Sequence, residues 1–265
     1  MGASEPLVPA SGPAMQKEAT TLRVLTVNIH KGYTLFNSRF MLHELRDAIR
    51  EVKSDLVFLQ EVTGKAEETA MHVEPVQYEF LADTLWPEHA YGRNAVVSGR
   101  NFGNAVLSNF PIVSHRNHAL SQGPGEPRGL LHCVLDMGPG RESLHVMCTH
   151  LGLRERRRQH ELSVLRTLVE QEVPPHAPLV LAGDFNDWRS RADALLAPVG
   201  LVEVFRHADG QNARSFPARW PLLKLDRIYV RGMASDRPLF MPRHPWSQLS
   251  DHAPLAAELQ LRDVS

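Results

Sequence analysis

The chain has 265 residues, 29 basic against 30 acidic for a formal net charge of −1, and 43% apolar residues. That length supports one large domain with a substantial core, and the balanced charge argues against a protein that coats nucleic acid through basicity alone. No run of 18 apolar residues occurs, so no membrane-crossing helix is expected.

The first twenty residues, MGASEPLVPASGPAMQKEAT, carry three prolines and lack the apolar stretch of a secretory signal. They read as a flexible tail, residues 1–20, ahead of a single domain over 21–265. LRVLTVNIH (22–30) is rich in β-branched residues and ends polar, the mark of a strand. SRFMLHELRDAIREV (38–52) has Phe40, Leu42, Leu45, Ile49 and Val52 at helical spacing, with Ser38 placed as an N-cap. DLVFLQEV (55–62) is a short, continuously apolar run that suits a strand covered on both faces. YEFLADTLW reads as a second helix, and NAVLSNFPI (104–112) as a strand. GLLHCVLDM (129–137) and SLHVMCTHL (143–151) form a hairpin across GPGRE.

RERRRQHELSVLRTLVEQEV (154–173) is a long amphipathic helix, with Leu162, Leu165, Leu168 and Val169 on one face. A strand PLVLAGDFND, a short helix near 190–197, a strand LKLDRIYVRG (223–232) and a final strand in SDHAPLAAELQL (250–261) complete the chain. Strands outnumber helices, which implies two packed sheets flanked by helices. Cys133 and Cys148, the two cysteines, lie in apolar strands. They read as buried free thiols in a reducing, cytoplasmic setting, although strand neighbours could also be bridged.

Several apolar segments finish in ionisable or amide residues: Asn28 and His30, Gln60 and Glu61, Thr149 and His150, Asp184 and Asn186, with Asp251 and His252 opening the last strand and Asp226 inside LKLDRIYV. One such ending is a turn signal. Repeated at many strands, it suggests convergence at one rim, where open sheets place their sites. Glu61 is a hard oxygen ligand, and no paired Cys or His spacing for structural zinc occurs. Asp184 and Asn186 are two apart, so on an extended backbone both point the same way. A carboxylate there can deprotonate a water, and the amide can donate to an oxygen that gains charge. Asp226 and His252 could pair, the acid supporting a cationic imidazole.

The motifs VNIH, LQEV, THL, GDFN, LDRIYV and SDH, in that order, resemble the endonuclease/exonuclease/phosphatase superfamily over residues 22–260. The resemblance implies an α/β fold, a four-layer α-β-β-α sandwich of two mostly antiparallel sheets, and a phosphodiesterase dependent on Mg2+ or Mn2+. It further implies that Asn28 and Glu61 lie at the metal, Glu61 as direct ligand and Asp251 helping to hold it. Asp184 would activate the attacking water, Asn186 would contact the scissile phosphate, and His252, oriented by Asp226, would bind a phosphoryl oxygen. His150 matches a second histidine of the deoxyribonuclease and sphingomyelinase branches, a candidate acid for the leaving oxygen. Asn104, Arg128 and His30 fall at phosphate-contacting positions. Two departures stand out. His30 replaces an aspartate of the apurinic endonucleases, and His150 replaces their tyrosine, with no acid in the sequence assigned to orient it.

These expectations favour a DNA endonuclease, then a phospholipid or phospho-sugar phosphodiesterase. A binding module that has lost activity is opposed by the complete motif set. The arginine run 154–158 could touch a phosphate backbone, but such runs are more often solvated. Trp188, Trp220 and Trp246 could stack on bases or make peripheral contact with lipid, or simply cover core edges.

Overall fold

The computed structural model describes residues 20–33, 41–64, 76–82, 86–97, 100–121 and 125–262. Its strands are β1 Thr21–Asn28, β2 Leu56–Thr63, β3 Glu88–Val97, β4 Arg100–Ser108, β5 Ile112–Ala119, β6 Gly129–Leu135, β7 Leu144–His150, β8 Leu179–Asp184, β9 Val202–Glu203, β10 Asp226–Arg231, β11 Met233–Leu239 and β12 Leu255–Leu261. The helices are α1 Leu42–Val52, α2 Gln77–Ala82, α3 Glu155–Glu172, α4 Ala192–Leu196 and α5 Val204–Asp209.

Two six-stranded sheets result, ordered β11-β12-β1-β2-β4-β3 and β5-β6-β7-β8-β10-β9. Most neighbours are antiparallel, as expected. The exceptions are β1 with β2 and β7 with β8, each parallel. A parallel pair needs a crossover long enough to return the chain, and α1 and α3 supply it. The consequence is functional: in each sheet two adjacent strands end, rather than turn, at the same edge.

Alternation along the strands sorts the core into three sheets of contact. Leu22, Val24, Leu56 and Phe58 meet Leu131, Cys133, Val146 and Val180 between the two sheets. Leu25, Val27, Val57 and Leu59 point the other way, onto Leu45 and Ile49 of α1. Leu130, Met147, Leu179 and Leu181 pack on Leu162, Leu165 and Val169 of α3. Helix, sheet, sheet and helix therefore stack as four layers.

Several sequence expectations shift. The first helix begins at Leu42, with Met41 as its N-cap residue; Ser38 and Phe40 lie outside the described residues, as do the tail through residue 19 and residues 83–85 of the expected second helix, while Trp86 at its expected end is not helical. Segment 104–112 is not one strand. β4 stops at Ser108, and β5 starts after Pro111, which has no N–H to donate to a ladder. The last strand starts at Leu255, leaving Asp251 and His252 in the bend before it. β3, β5, β9, β11 and α5 were absent from the pattern. The cysteines are free and buried.

The arginine run divides. Arg158 is fully buried, donating to the carbonyls of Gly152 and Leu153, ion-paired with Glu155 and lying under the Trp188 ring. Arg157 pairs with Glu161 and ties down Ser121 and the Glu126 carbonyl. Arg154 and Arg156 are exposed.

The outer face of β5, β6 and β7 carries a stack of histidines: His118 on His132, and His132 on His145, with Nε2 of His132 2.9 Å from Nδ1 of His145. Burial first, then the neighbouring imidazoles and Arg116, lowers His132 from 6.5 to about 4. Below pH 6.5 the unfolded chain takes up a proton that the native chain refuses until about 4. This contribution to stability is therefore complete above pH 6.5 and is lost as pH falls towards 4. Urea midpoints across that window should fall more steeply for the native sequence than for His132→Leu; parallel profiles would contradict this assignment.

Candidate active site

Register fixes the centre of the site. His150, the last residue of β7, lies beside Asp184, the last of β8, and Asp184 faces Asp226, the first of β10. Gly183 makes the approach possible. Its φ is +146°, and a Cβ there would sit 2.0 Å from the Thr149 carbonyl oxygen. The opposite sheet ends in register too, with Asn28 beside Gln60. Beyond Gln60 the ladder of β2 is interrupted by a bulge between Leu59 and Val62. Glu61 there adopts a φ of 55°, a strained conformation that turns its carboxylate out of the pleat towards Asn28.

These side chains meet. Nδ2 of Asn28 lies 3.2 Å from Oε1 of Glu61 and 3.1 Å from Oδ2 of Asp184, so one amide joins the two sheets. Nε2 of His150 lies 3.4 Å and Nε2 of His252 3.7 Å from the same Asp184 oxygen. Nδ1 of His252 meets Oδ2 of Asp226 at 2.8 Å. The Nδ1 atom of His30 lies 3.7 Å from Glu61 and 3.4 Å from Asp251. The Oγ of Ser250 donates to the Asn28 carbonyl at 2.6 Å and clamps the 250–252 bend to β1.

The electrostatics separate the two buried histidines. Burial opposes charge on His252, but Asp226 and then Asp184 outweigh it and raise the imidazole to about 10. At His150, burial is joined by Arg128 and the His252 cation, and all three press it well below 6.5. Nη1 of Arg128 lies 3.2 Å from Nδ1 of His150. Guanidinium only donates, so that Nδ1 is the acceptor and the ring proton sits on Nε2, facing Asp184. The partner behind His150 is thus an arginine, where an acid was sought. Burial, opposed by His252 and reinforced by Asp226, raises Asp184 to about 6.

Each expected site residue can be located. Asn28, His30, Glu61, His150, Asp184, Asp226, Asp251 and His252 converge. Asn186 does not project beside Asp184: its φ is 49°, not extended, and its amide donates to the Leu151 carbonyl at 2.9 Å. Asn104 is fully buried, and its amide is tied to the carbonyls of Gly129 and Cys148. It lines a small cavity with Lys31, Glu61, Arg128 and His150. Gln60 points between the sheets, onto Thr26 and Cys148. Two residues beside the site had no role in the sequence reading: Lys31, which lies over the Phe102 ring outside any motif, and Ser250, the first letter of SDH, whose hydroxyl contact with the distant Asn28 carbonyl no local pattern shows.

Among the described residues, two places could hold a divalent cation. Asp184, Asp226 and His252 bring one donor atom each within 4.8 Å of one another, all buried. Nδ1 of His252 and Oδ2 of Asp226 are already engaged with each other, however. Glu61 and Asp251 are more open, at 23% and 12% side-chain exposure, and converge on one point marked by His30. With the Asn28 oxygen, which accepts from the His30 N–H at 3.0 Å, they form the hard-oxygen set a magnesium-like ion prefers.

Comparison with known proteins identifies the family and agrees with the fold. The model of the endonuclease/exonuclease/phosphatase family matches residues 25–252. The uncharacterized protein YbhP of Escherichia coli (strain K12) is 49% identical over 251 residues, which cover 93% of this chain and 99% of that protein. Among solved structures, an endonuclease/exonuclease/phosphatase from Beutenbergia cavernae DSM 12333 superposes with a TM-score of 0.71 at 22% identity, covering 91% of this chain and 72% of that one. Truncated Caenorhabditis elegans TDP2 gives 0.67 at 18% identity, covering 91% and 97%. At those identities the likeness is one of fold.

The His252–Asp226 pair can be read directly. In metal-free protein, NMR titration of the His252 ring should show it protonated up to about pH 10. Asp226→Asn should lower that midpoint by about one unit or more. An unchanged midpoint would show that Asp226 does not support the cation.

Proposed function

The chain belongs to the endonuclease/exonuclease/phosphatase family, and from that premise we propose that it hydrolyses phosphodiester bonds with the help of a divalent cation. The observation that carries this reading is the meeting of Asn28, Glu61, Asp184, Asp226 and His252, drawn from both sheets, in one contiguous cluster of contacts.

Each residue then has a task. Asp184, with a carboxyl near 6, is ionised at neutral pH yet basic enough to take a proton from an attacking water. The His252 cation presents Nε2 to a phosphoryl oxygen while Asp226 holds its Nδ1 side. His150 stays neutral under Arg128 and donates its Nε2 hydrogen to the leaving oxygen, so it acts as a hydrogen-bond donor more readily than as a full acid. Asn28 keeps Asp184 and Glu61 in place. Asn186 braces the loop after β7, and Asn104 supports the wall beneath Arg128. Glu61, Asp251 and the Asn28 oxygen would hold Mg2+ or Mn2+, which supplies charge neutralisation at the phosphate when bound.

The motif resemblance favours DNA as substrate. One structural observation favours a phospholipid: exposed apolar side chains, Trp220 and Leu222 among them, crowd the same rim. Supercoiled plasmid, abasic duplex and phospholipid, each offered with Mg2+ or Mn2+, separate the two. A phosphodiester in this panel should be cleaved, and chelation should abolish it. Asp184→Asn should keep its circular dichroism and lose about a hundredfold or more in turnover. A fully active Asp184→Asn would remove that residue from the chemistry.

A further inference from the structure

The rim that carries the site also carries exposed apolar side chains. Leu153 follows the end of β7, Trp188 follows β8, Trp220 and Leu222 stand in the turn leading to β10, and Phe240 follows β11. Their exposures are 65%, 42%, 66%, 65% and 77%. Such a set on one edge marks a contact surface. The turn is fixed to the site: the Ala218 N–H donates to the Asp251 carbonyl at 2.7 Å, and the Phe216 ring lies 5.0 Å from His252. Whatever seats Trp220 therefore also sets its distance from His252.

Charge is segregated here as well. Segments 210–225 and 238–250 contain Arg214, Arg219, Lys224 and Arg243 and no aspartate or glutamate, in a chain whose net charge is −1. Arg154 and Arg189, beside Leu153 and Trp188, are exposed too. Behind Phe240 lies a cavity of about 420 Å³, walled by Phe205, Leu239 and Trp246, with two cations, Arg214 and Arg243, against one carboxylate, Asp209. Trp246 is itself buried, at 3% exposure, and belongs to that wall instead of the surface.

Cations among apolar side chains suit either nucleic acid or an anionic lipid surface, and the side chains decide between them. Leu153 and Leu222 have no ring on which a base could stack. Trp220 and Trp188 each have one face covered by a guanidinium, Arg243 at 4.5 Å and Arg158 at 4.7 Å. Tryptophan at headgroup depth, aliphatic tips below it and arginines among phosphates is the arrangement of a peripheral membrane contact.

We propose that this rim docks the protein onto an anionic phospholipid bilayer, with Trp220, Leu222 and Phe240 entering the headgroup boundary and Arg214, Arg219 and Arg243 meeting its phosphates. The substrate would then be a phosphodiester presented at that surface. This last step rests on the phosphodiesterase reading; the docking itself does not.

The test is sedimentation of the full chain, in chelator to prevent turnover, with phosphatidylglycerol/phosphatidylcholine vesicles, with pure phosphatidylcholine vesicles and with duplex DNA. Binding should be at least about tenfold stronger to the anionic vesicles. Trp220→Glu with Phe240→Glu should weaken it by about tenfold or more, and Arg214→Gln with Arg219→Gln should erase the preference for anionic lipid. Both variants should cleave a soluble diester, bis(p-nitrophenyl) phosphate, with Mn2+ as well as the native chain does, which also verifies folding. No binding to anionic vesicles, unaltered binding by the folded variants, or loss of duplex binding in place of vesicle binding would each overturn the proposal. If vesicles bind but no chain cleaves the diester, the phosphodiesterase reading fails and the docking surface stands.

Discussion

Asp184 and Asp226 sit side by side at the end of one sheet, each about 1% exposed. Two carboxyl groups removed from water repel each other and lose their hydration, a cost of several kcal/mol unless partners replace the solvent. The partners are the His252 cation, the Asn28 amide and the Asn186 N–H, which comes within 2.9 Å of Asp184. Much of the architecture can be understood as the means of delivering them. β10 must pair with β8 to bring Asp226 alongside, the 250–252 bend must fold back to bring His252, and the sheets must pack face to face for Asn28 to reach across.

The same pressure separates the roles of the two histidines. His252 lies between carboxyl groups and is held as a cation. His150, one strand away, backs onto Arg128 and is held neutral. The Arg128 position is itself built: its N–H donates to Ser121 Oγ at 2.8 Å, and Arg157 from α3 bonds the same hydroxyl. Part of the arginine run that looked like a solvated or phosphate-touching face is therefore a brace for the wall of the site.

Central strands and strand-end acids were legible in the sequence because each is a local pattern, whereas the two parallel pairings depend on strand order, which no local pattern records. Leu56–Leu59 is continuously apolar since both of its faces are covered, and GDFN and SDH carry their chemistry in three or four letters. The edge strands were not legible. β5, with exposed residues through most of its length, has no alternation to read, since an edge strand buries too little to impose one. Neither was the turn of Glu61 out of its strand, which a bulge produces, nor the engaged state of Asn186, whose left-handed φ defeats the rule that residues two apart share a face. Arg128 behind His150 is a contact between the residue just before β6 and the last residue of β7, 22 apart in the chain, which no motif records.

Convergence at Glu61 is the central claim, because it links the strained bulge, the Asn28 bridge and the hydrolytic chemistry. Anomalous diffraction from crystals grown with Mn2+ tests it most directly. The account requires a peak bonded to the Glu61 carboxylate, on the side facing Asp251. A manganese found only elsewhere on the protein, with Glu61 untouched, would contradict it.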